Sequence, residues 1–403
     1  MVKPLKKVKQ NFAMMDACPV CQSKQYRDVL WVQQVPILSN YFWDSKEEAM
    51  RSPRGDIALS FCPDCAHLFN RAYDPTRVVY QPGYENSLFG SPRFINYADQ
   101  LARRLVKSLA LKGKIIVEIG SGDGEFLRML CSLGGNQGVG YDPAHPQGEG
   151  VAGPGRIRWV SANYQAEPSM VTPDLVCCRH VLEHLPDPVD FIQLVRQANA
   201  NVFFEVPNAL YTLRELGIWD IIYEHPSLFT PSSLEHLFIA SGFMPLEVEE
   251  VYGRQFLTIL AKPVDPIRQA EQHKKRVSVK NEAVDPMLVG FAEKYRTTVQ
   301  KWKNKITNYS NAGEKIVLWG SGSKGVTFLN IAAQDGPIQY VVDINLRKQG
   351  RYVSCTGQVI VPPDFLTNYQ PDLVLVMNPL YRGEVQSALC SLGVAARVDV
   401  VEA

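Results

Sequence analysis

One stretch of the chain changes its hydrophobic pattern twice within sixteen residues. Residues 114–129, KIIVEIGSGDGEFLRM, begin with an apolar β-branched run, break at a glycine-rich turn and continue with apolar residues at helical spacing. The pattern predicts a buried strand, a tight turn and a helix. Glycines in such a turn let a ligand approach the backbone, and the first amides of the helix are unpaired and partly positive. We therefore expect a bound cofactor at this turn.

Similar patterns around this stretch predict an open α/β sheet. A helical stripe at 98–111 leads into the first strand, after a connector at 71–97 that is rich in turn formers and aromatic residues. A helix after residue 231 is predicted to be capped by Ser232 or Ser233. Gly253 and Arg254 are expected at the turn between the last two strands. Further strands are predicted at 157–164, 175–178 and 201–208, and as a pair within 243–263.

A second α/β unit is predicted after a change of composition. Residues 263–285 are charged and polar, which is typical of a domain boundary, and a helix is expected from about Pro286 to Ser310. The stretch KIVLWGSGSKG at 315–325 then fits the GxGxxG pattern, and Asp343 closes the next predicted strand. Taken alone this turn resembles a dinucleotide site, so an NAD-dependent enzyme is one alternative. Two more strands are predicted at 371–379 and at the C-terminus.

Length and charge narrow the class of protein. The 403 residues are too many for one core and suggest two or three domains. Because the net charge is +1 and the basic residues are dispersed, we expect no nucleic-acid partner. No apolar run approaches the ~18 residues that cross a bilayer, and the basic N-terminus does not lead into a signal-peptide core. We therefore expect a cytoplasmic protein without a membrane partner.

Four of the nine cysteines have the spacing of a metal site. Cys18 and Cys21 form one CxxC pair, and Cys62 and Cys65 form a second. Two such pairs supply four thiolates in the tetrahedral arrangement that zinc favours, and four protein ligands leave no open position for water. We therefore predict a structural Zn²⁺ site, with strands or a hairpin between the two pairs. The neighbouring His67 is predicted to be a packing or surface residue.

Two acidic residues indicate which cofactor the first glycine turn binds. Glu118 lies at the end of the strand under the turn, and Asp142 ends the next apolar segment. The first suits an ammonium group and the second a ribose diol, and S-adenosylmethionine carries both. The motif EIGSGDG together with Asp142 resembles the class I methyltransferases. The predicted cofactor-binding residues are Glu118, Gly120, Ser121, Gly122, Gly124 and Asp142.

Titratable side chains follow two of the predicted strands. Tyr223, Glu224 and His225 stand in succession after the fifth strand, and histidine beside a carboxylate is suited to proton transfer near neutral pH. His180 and His184 follow the fourth strand at its C-terminal end, where ligands bind in open α/β sheets. Their HxxxH spacing lacks a third ligand and the HExxH glutamate, so we do not predict a metal there.

The complete chain resembles the three-part C-methyltransferases that act on nucleotide-linked deoxysugars. The resemblance is carried by the two CxxC pairs, EIGSGDG, YEH at 223–225, GSGSKG at 320–325 and DINLRKQGRYV at 343–353. It implies a class I methyltransferase Rossmann-like sheet between an N-terminal four-cysteine zinc module and a C-terminal Rossmann-like α/β domain. The implied division is 1–75 zinc-binding module, 76–262 S-adenosylmethionine-dependent methyltransferase domain, 263–285 linker and 286–403 C-terminal substrate-binding domain.

The resemblance also implies a base-assisted mechanism. A proton next to a keto group is removed, and the resulting enolate attacks the methyl group of S-adenosylmethionine. His225 is expected to be the base and Glu224 to orient it. Tyr223, His180 and Tyr84 are expected to bind or polarise the oxygens of a small-molecule acceptor, such as a nucleotide-linked sugar.

Departures from the family pattern leave other functions open. The family loop usually has an extra residue between the tyrosine and the Glu-His pair, whereas YEH is contiguous here. The loops bordering the expected cleft also differ from those of sugar enzymes. O- or N-methylation of another small metabolite therefore remains an alternative, as does a noncatalytic binding protein that keeps the methyltransferase fold.

Overall fold

The chain forms three β-sheets with helices packed against them. The computed structural model describes residues 14–80, 83–165, 172–264, 284–334 and 336–402. The strands are β1 (Arg27–Pro36), β2 (Arg54–Cys62), β3 (His67–Asn70), β4 (Ile115–Ile119), β5 (Gln137–Tyr141), β6 (Gly148–Ala152), β7 (Gly155–Val160), β8 (Leu175–Arg179), β9 (Asn201–Pro207), β10 (Ser227–Leu228), β11 (Phe243–Val251), β12 (Phe256–Pro263), β13 (Ile316–Trp319), β14 (Tyr340–Val342), β15 (Val359–Val361), β16 (Leu373–Val376) and β17 (Arg397–Val400).

Eleven α-helices are found within the described residues. They are α1 (Lys46–Met50), α2 (Pro92–Ser108), α3 (Glu125–Gly134), α4 (Pro188–Arg196), α5 (Ala209–Arg214), α6 (Pro231–Ala240), α7 (Asp285–Leu288), α8 (Phe291–Asn311), α9 (Ser323–Ala332), α10 (Leu366–Tyr369) and α11 (Arg382–Ser391). Over the same ranges, no helix combines the length and the apolar character that crossing a membrane requires.

The central sheet has eight strands in the order β11-β12-β9-β8-β4-β5-β7-β6. The five strands from β9 to β7 run parallel, while β12 pairs antiparallel with both β9 and β11. This is the strand order of the class I methyltransferase sheet, and the predicted fold is confirmed. The inner strands are continuous apolar runs because helices cover both of their faces.

One strand of this sheet was not predicted, and one local prediction was wrong. The glycine-rich stretch after Asp142 forms the edge strand β6, because antiparallel pairing with β7 compensates for its weak strand propensity. The cap of α6 is Thr230 rather than Ser232 or Ser233. The Thr230 side chain accepts from the Ser233 amide, and the Ser233 hydroxyl accepts from the Thr230 amide. Pro231 then occupies the first helical position, where its missing N–H costs nothing.

The N-terminal sheet has the order β1-β2-β3-β10. The predicted hairpin between the CxxC pairs is confirmed, since β1 and β2 pair antiparallel. Its last strand, β10, comes from far along the chain and pairs with β3. The segment that follows His225 is therefore held by the cysteine-containing module.

The C-terminal sheet is parallel and has the order β15-β14-β13-β16-β17. This is a Rossmann-like order with its switch point between β13 and β16. The helix predicted from Pro286 to Ser310 is divided into α7 and α8, because Gly290 takes a left-handed φ of 69°. Leu30 of β1 shares a hydrophobic core with Phe291 and Trp302 of α8. Most of the predicted linker, 265–283, lies outside the described residues.

Candidate active site

The first glycine turn lies between β4 and α3 and leaves room for a ligand. Gly120 has φ 69°, and a Cβ there would clash with the side chain of Val181. Gly124 has φ 78°, and its Cβ would lie 2.7 Å from Nε1 of Trp159. Gly122, at φ 51°, faces open space. The outer glycines are thus required by close packing, whereas the middle one leaves the backbone accessible.

Asp142 ties the turn to the end of β5. Its carboxylate accepts hydrogen bonds from the amides of Gly122 at 2.9 Å and Ala144 at 2.8 Å. Each carboxylate oxygen keeps a further lone pair, so a diol can still bind there. Ser121 is buried beside Gly140, and its hydroxyl oxygen has no hydrogen-bond partner among the described residues.

Glu118 lies beneath the turn and is 3% exposed. Burial raises the pKa of its carboxyl to about 8, and its Oε2 atom finds no hydrogen-bond donor among the described residues. A buried carboxylate oxygen without a partner is costly unless a ligand supplies a donor. The ammonium group of S-adenosylmethionine is such a donor. The structure therefore gathers all six predicted cofactor residues at one turn, and they fit this cofactor.

A cluster of histidines and tyrosines lies beyond the turn. The ring of His225 meets that of His184 edge to face, with centroids 4.7 Å apart. Nδ1 of His184 is 3.1 Å from the carbonyl oxygen of Glu224 and 2.9 Å from the hydroxyl of Tyr80. These contacts hold His184 through Nδ1 and orient its ring against His225.

Glu224 is buried behind the cluster. Its carboxylate accepts hydrogen bonds from the Tyr84 hydroxyl at 2.7 Å and from the backbone amides of Ser39 and Asn40. Burial raises the pKa of this carboxyl, although His184 and the hydrogen bonds oppose the shift. Tyr84 and Glu224 are therefore in direct contact, and the carboxylate points toward the N-terminal module.

His225 and His180 have opposite electrostatic surroundings. Burial, with His184 and His180 nearby, lowers the pKa of His225 well below its usual value, so its imidazole is neutral at pH 7. Burial also opposes protonation of His180, but Glu183 and Glu205 outweigh it and raise the pKa of His180 to about 9. One histidine can therefore accept a proton while the other is already cationic.

His180 follows β8 in a left-handed conformation, with φ 55°, and lies between two carboxylates. Its Nε2 is 3.0 Å from Glu205 and its Nδ1 is 3.6 Å from Glu183. Arg179 binds Glu205 through two hydrogen bonds of 3.1 and 2.8 Å. Burial opposes ionisation of Glu205, but Arg179 and His180 outweigh it and hold its pKa at about 2. A permanent anion thus keeps His180 protonated.

Tyr223 is not brought into the cluster. Its ring is 1% exposed and packs so closely on Gly55 that a Cβ there would clash. Its hydroxyl accepts a hydrogen bond from the amide of Asp74 at 2.9 Å. Contiguous residues on a turn point in different directions, which explains why Tyr223 and Glu224 diverge. The structure therefore gives Tyr223 the contacts of a core residue.

Sequence reasoning missed three members of the cluster: Tyr80, Glu183 and Glu205. It also rejected a metal at His184 for lack of a third ligand, yet ligand atoms of Glu183, His184 and His225 lie within 4.8 Å of one another. Three side chains that can ligate a metal ion therefore converge there. The only sequence signal for Glu205 was its position at the end of an apolar strand, where ligands bind.

The four cysteines form a compact group. Their sulfur atoms lie within 4.8 Å of one another, with Cys18 and Cys65 3.6 Å apart and Cys21 and Cys62 3.5 Å apart. A tetrahedral zinc site with bonds of about 2.3 Å has sulfur–sulfur edges of roughly 3.8 Å, so the group fits this ion. His67 is buried with its Nε2 3.2 Å from the Ser227 hydroxyl, consistent with packing.

Comparison with protein families agrees with the sheet and the turn. Residues 93–248 match a family model described as a methyltransferase domain. The match to this domain covers most of the central sheet, from β4 into β11. Residues 261–393, which follow this domain, match a second model described as a C-methyltransferase C-terminal domain. No curated protein matches the chain significantly.

Solved structures of methyltransferases are similar to the methyltransferase domain at low identity. A 1,6-didemethyltoxoflavin-N1-methyltransferase from Burkholderia thailandensis is 14% identical, with a TM-score of 0.34 over 50% of this chain and 97% of its own. A magnesium protoporphyrin IX methyltransferase from Synechocystis PCC 6803 is 16% identical, with a TM-score of 0.34 over 42% of this chain and 83% of its own. The substrate of this chain does not follow from either similarity.

Proposed function

We propose that the protein transfers a methyl group from S-adenosylmethionine to carbon in a small keto acceptor, most consistently a nucleotide-linked keto-deoxysugar. The observation that carries the proposal is geometric: the ring of His225 packs against that of His184 at 4.7 Å, and His180 is held 3.0 Å from Glu205 at the end of β8. These surroundings favour a neutral His225 and a cationic His180. Carbon becomes nucleophilic only after a proton next to the keto group is removed. That step needs a base and a positive group at the developing oxyanion.

Several polar side chains of the cluster each have a role in the proposed mechanism. Bound S-adenosylmethionine supplies an electrophilic methyl group. The neutral imidazole of His225 takes the proton next to the keto group, and the backbone carbonyl of Glu224 keeps His184 in place behind it. The imidazolium of His180, held by Glu205, stabilises the enolate oxygen. The hydrogen bond from the Tyr84 hydroxyl fixes the position of the Glu224 carboxylate.

The division into domains is part of the same proposal. The zinc-binding module at 1–75, the methyltransferase domain at 76–262 and the C-terminal substrate-binding domain at 286–403 are each supported by one β-sheet. The exception is β10, which lies in the methyltransferase sequence but pairs with the N-terminal sheet.

In the C-terminal sheet, Ser321 donates hydrogen bonds to Asp343 through its amide and its hydroxyl. We propose a substrate-holding role for this sheet rather than an NAD site, because it lies in the region that matches a C-methyltransferase C-terminal domain.

We expect the affinity for S-adenosylmethionine to rise with pH, by about tenfold per unit between pH 6 and 7.5. The reason is that Glu118, with a pKa of about 8, is protonated in the free protein and must lose its proton to pair with the ammonium group. Glu118→Gln should weaken binding and flatten this dependence. Calorimetric titration across this pH range measures both effects. An unchanged pH dependence in the variant would exclude the ion pair.

Two experiments test the function itself. Titration with S-adenosylmethionine and with NAD separates a methyltransferase from a dehydrogenase, and binding of NAD alone would exclude the proposal.

The second experiment incubates a panel of nucleotide-linked keto-deoxysugars in heavy water with the protein and S-adenosylhomocysteine. C-methylation through an enolate predicts exchange of the proton next to the keto group without methyl transfer. O- or N-methylation predicts no such exchange. An acceptor that is methylated with S-adenosylmethionine but shows no exchange with S-adenosylhomocysteine would therefore favour those alternatives.

A further inference from the structure

We propose that Arg347 latches residues 83–91, here called the strap, over the cofactor turn, and thereby controls the entry and release of S-adenosylmethionine. Arg347 is a positioning residue in this role, because it acts through other side chains. The proposal rests on the cofactor site proposed above. It goes beyond that site by giving the C-terminal domain a function in cofactor exchange.

Arg347 joins the strap to the turn with one side chain. Its Nη1 lies 3.1 Å from Oε2 of Glu85, which is buried in the strap. Its other terminal nitrogen pairs with Asp123, the residue between Gly122 and Gly124. Arg347 itself belongs to the loop after β14 of the C-terminal sheet. Three separate parts of the chain therefore meet at a single guanidinium group.

The course of the strap crosses the cofactor region. At its start, Tyr84 donates to Glu224 behind the catalytic cluster. Further along, Phe89 packs into the hydrophobic cluster that contains Phe126 of α3. The strap thus runs from the catalytic cluster to the helix that follows the glycine turn. A cofactor seated on that turn lies between the two ends of the strap.

Residues of the same loop as Arg347 also lie close to both ends of the strap. A Cβ on Gly83 would lie 3.0 Å from the Arg351 guanidinium, and a Cβ on Gly90 would lie 3.2 Å from Ile344. Just beyond Gly90, the Ser91 hydroxyl donates to Glu384 of the C-terminal domain at 3.0 Å. The C-terminal domain is therefore the support against which the strap is held.

The electrostatics determine the size of the expected effect. The Arg347 side chain is 62% exposed, so each of its ion pairs is weak and sensitive to salt. The two partner carboxylates, Glu85 and Asp123, are not among the predicted cofactor-binding residues. Removing the two ion pairs should consequently free the strap in the unbound and the bound protein alike, which changes rates more than affinity.

The test measures binding kinetics of S-adenosylhomocysteine by stopped-flow fluorescence in the full chain. Arg347→Ala is expected to raise both the association and the dissociation rate by about tenfold, with a change in Kd of about twofold or less. Arg347→Lys should be intermediate, because one ammonium cannot bridge two carboxylates as a guanidinium does. The matched control is Arg296→Ala, which removes a similarly exposed arginine of α8 that, among the described residues, forms an ion pair with Glu293 of the same helix.

Three results would overturn the proposal. Unchanged rates in Arg347→Ala would show that the strap is not latched by this residue. A faster dissociation rate alone, with a matching loss of affinity, would assign Arg347 to support of the turn rather than to gating. If the unaltered protein fails to bind S-adenosylhomocysteine, the proposed cofactor site is wrong, and the proposed role of Arg347 is then wrong as well.

Discussion

Replacing His225 by glutamine is expected to reduce turnover by about 100-fold or more and to leave the affinity for S-adenosylmethionine unchanged. Glutamine keeps the size and polarity of the side chain but cannot accept the proton from carbon. His225 lies in the cluster of His184 and Glu224, away from the glycine turn, so cofactor binding should not respond. Steady-state kinetics with an identified acceptor and calorimetric titration of the cofactor measure the two quantities.

A matched variant separates the base from its surroundings. Tyr84→Phe removes only the hydroxyl that donates to Glu224, and we expect a smaller loss of turnover, about tenfold. The proton exchange in heavy water should disappear in His225→Gln but persist in Tyr84→Phe. Normal turnover in His225→Gln would show that His225 is not the base and would make His184, whose ring contacts it, the next candidate.

Loss of the four-cysteine site is expected to abolish metal binding and to lower turnover at least tenfold, with a smaller effect on cofactor affinity. The physical reason is the pairing of β10 with β3, a strand that lies directly after the second CxxC pair. The amide of Asn70 donates to the Pro226 carbonyl at 2.9 Å, and Thr230 donates to the Ala66 carbonyl. The module therefore holds the segment that directly follows His225.

Cys62→Ser tests this expectation, with zinc content measured by atomic emission. Cys390→Ser is the control, because Cys390 is an exposed free cysteine on α11. If the Cys62 variant does not fold, the folded wild-type chain can be treated with a chelator while zinc release and turnover are followed together. Turnover that survives complete removal of zinc would contradict the positioning of the catalytic loop by this module.

The local elements of the fold follow from short stretches of sequence. The strand, turn and helix at 114–129 could be predicted because apolar period and glycine placement are set within one stretch. The two CxxC pairs could be predicted for the same reason, since each pair forms a single turn. Predictions failed where a local preference was overruled by a partner. Strand β6 formed through pairing with β7, and α6 took its cap from Thr230.

The candidate active site was predicted less completely than the fold. His180, His225, Glu224 and Tyr84 were expected in the site, and the structure brings Tyr84 and Glu224 into contact. The direction of each side chain on the YEH turn was not readable, and Tyr223 points into the core instead. No pattern in the chain links Glu205 to His180, because only the sheet places the ends of β8 and β9 side by side.

The sequence by itself determined most elements, the glycine turn and each CxxC pair, because these depend on residues within one turn or one strand of each other. Only the tertiary structure decided which charges meet. Arg347 reaches Asp123 and Glu85 from more than 200 residues away in the chain. The fold brings carboxylates to His180, which raise its pKa despite burial, whereas burial, with other histidines nearby, lowers the pKa of His225. Protonation states depend on distances in space, and the spacing of residues along the chain does not set those distances.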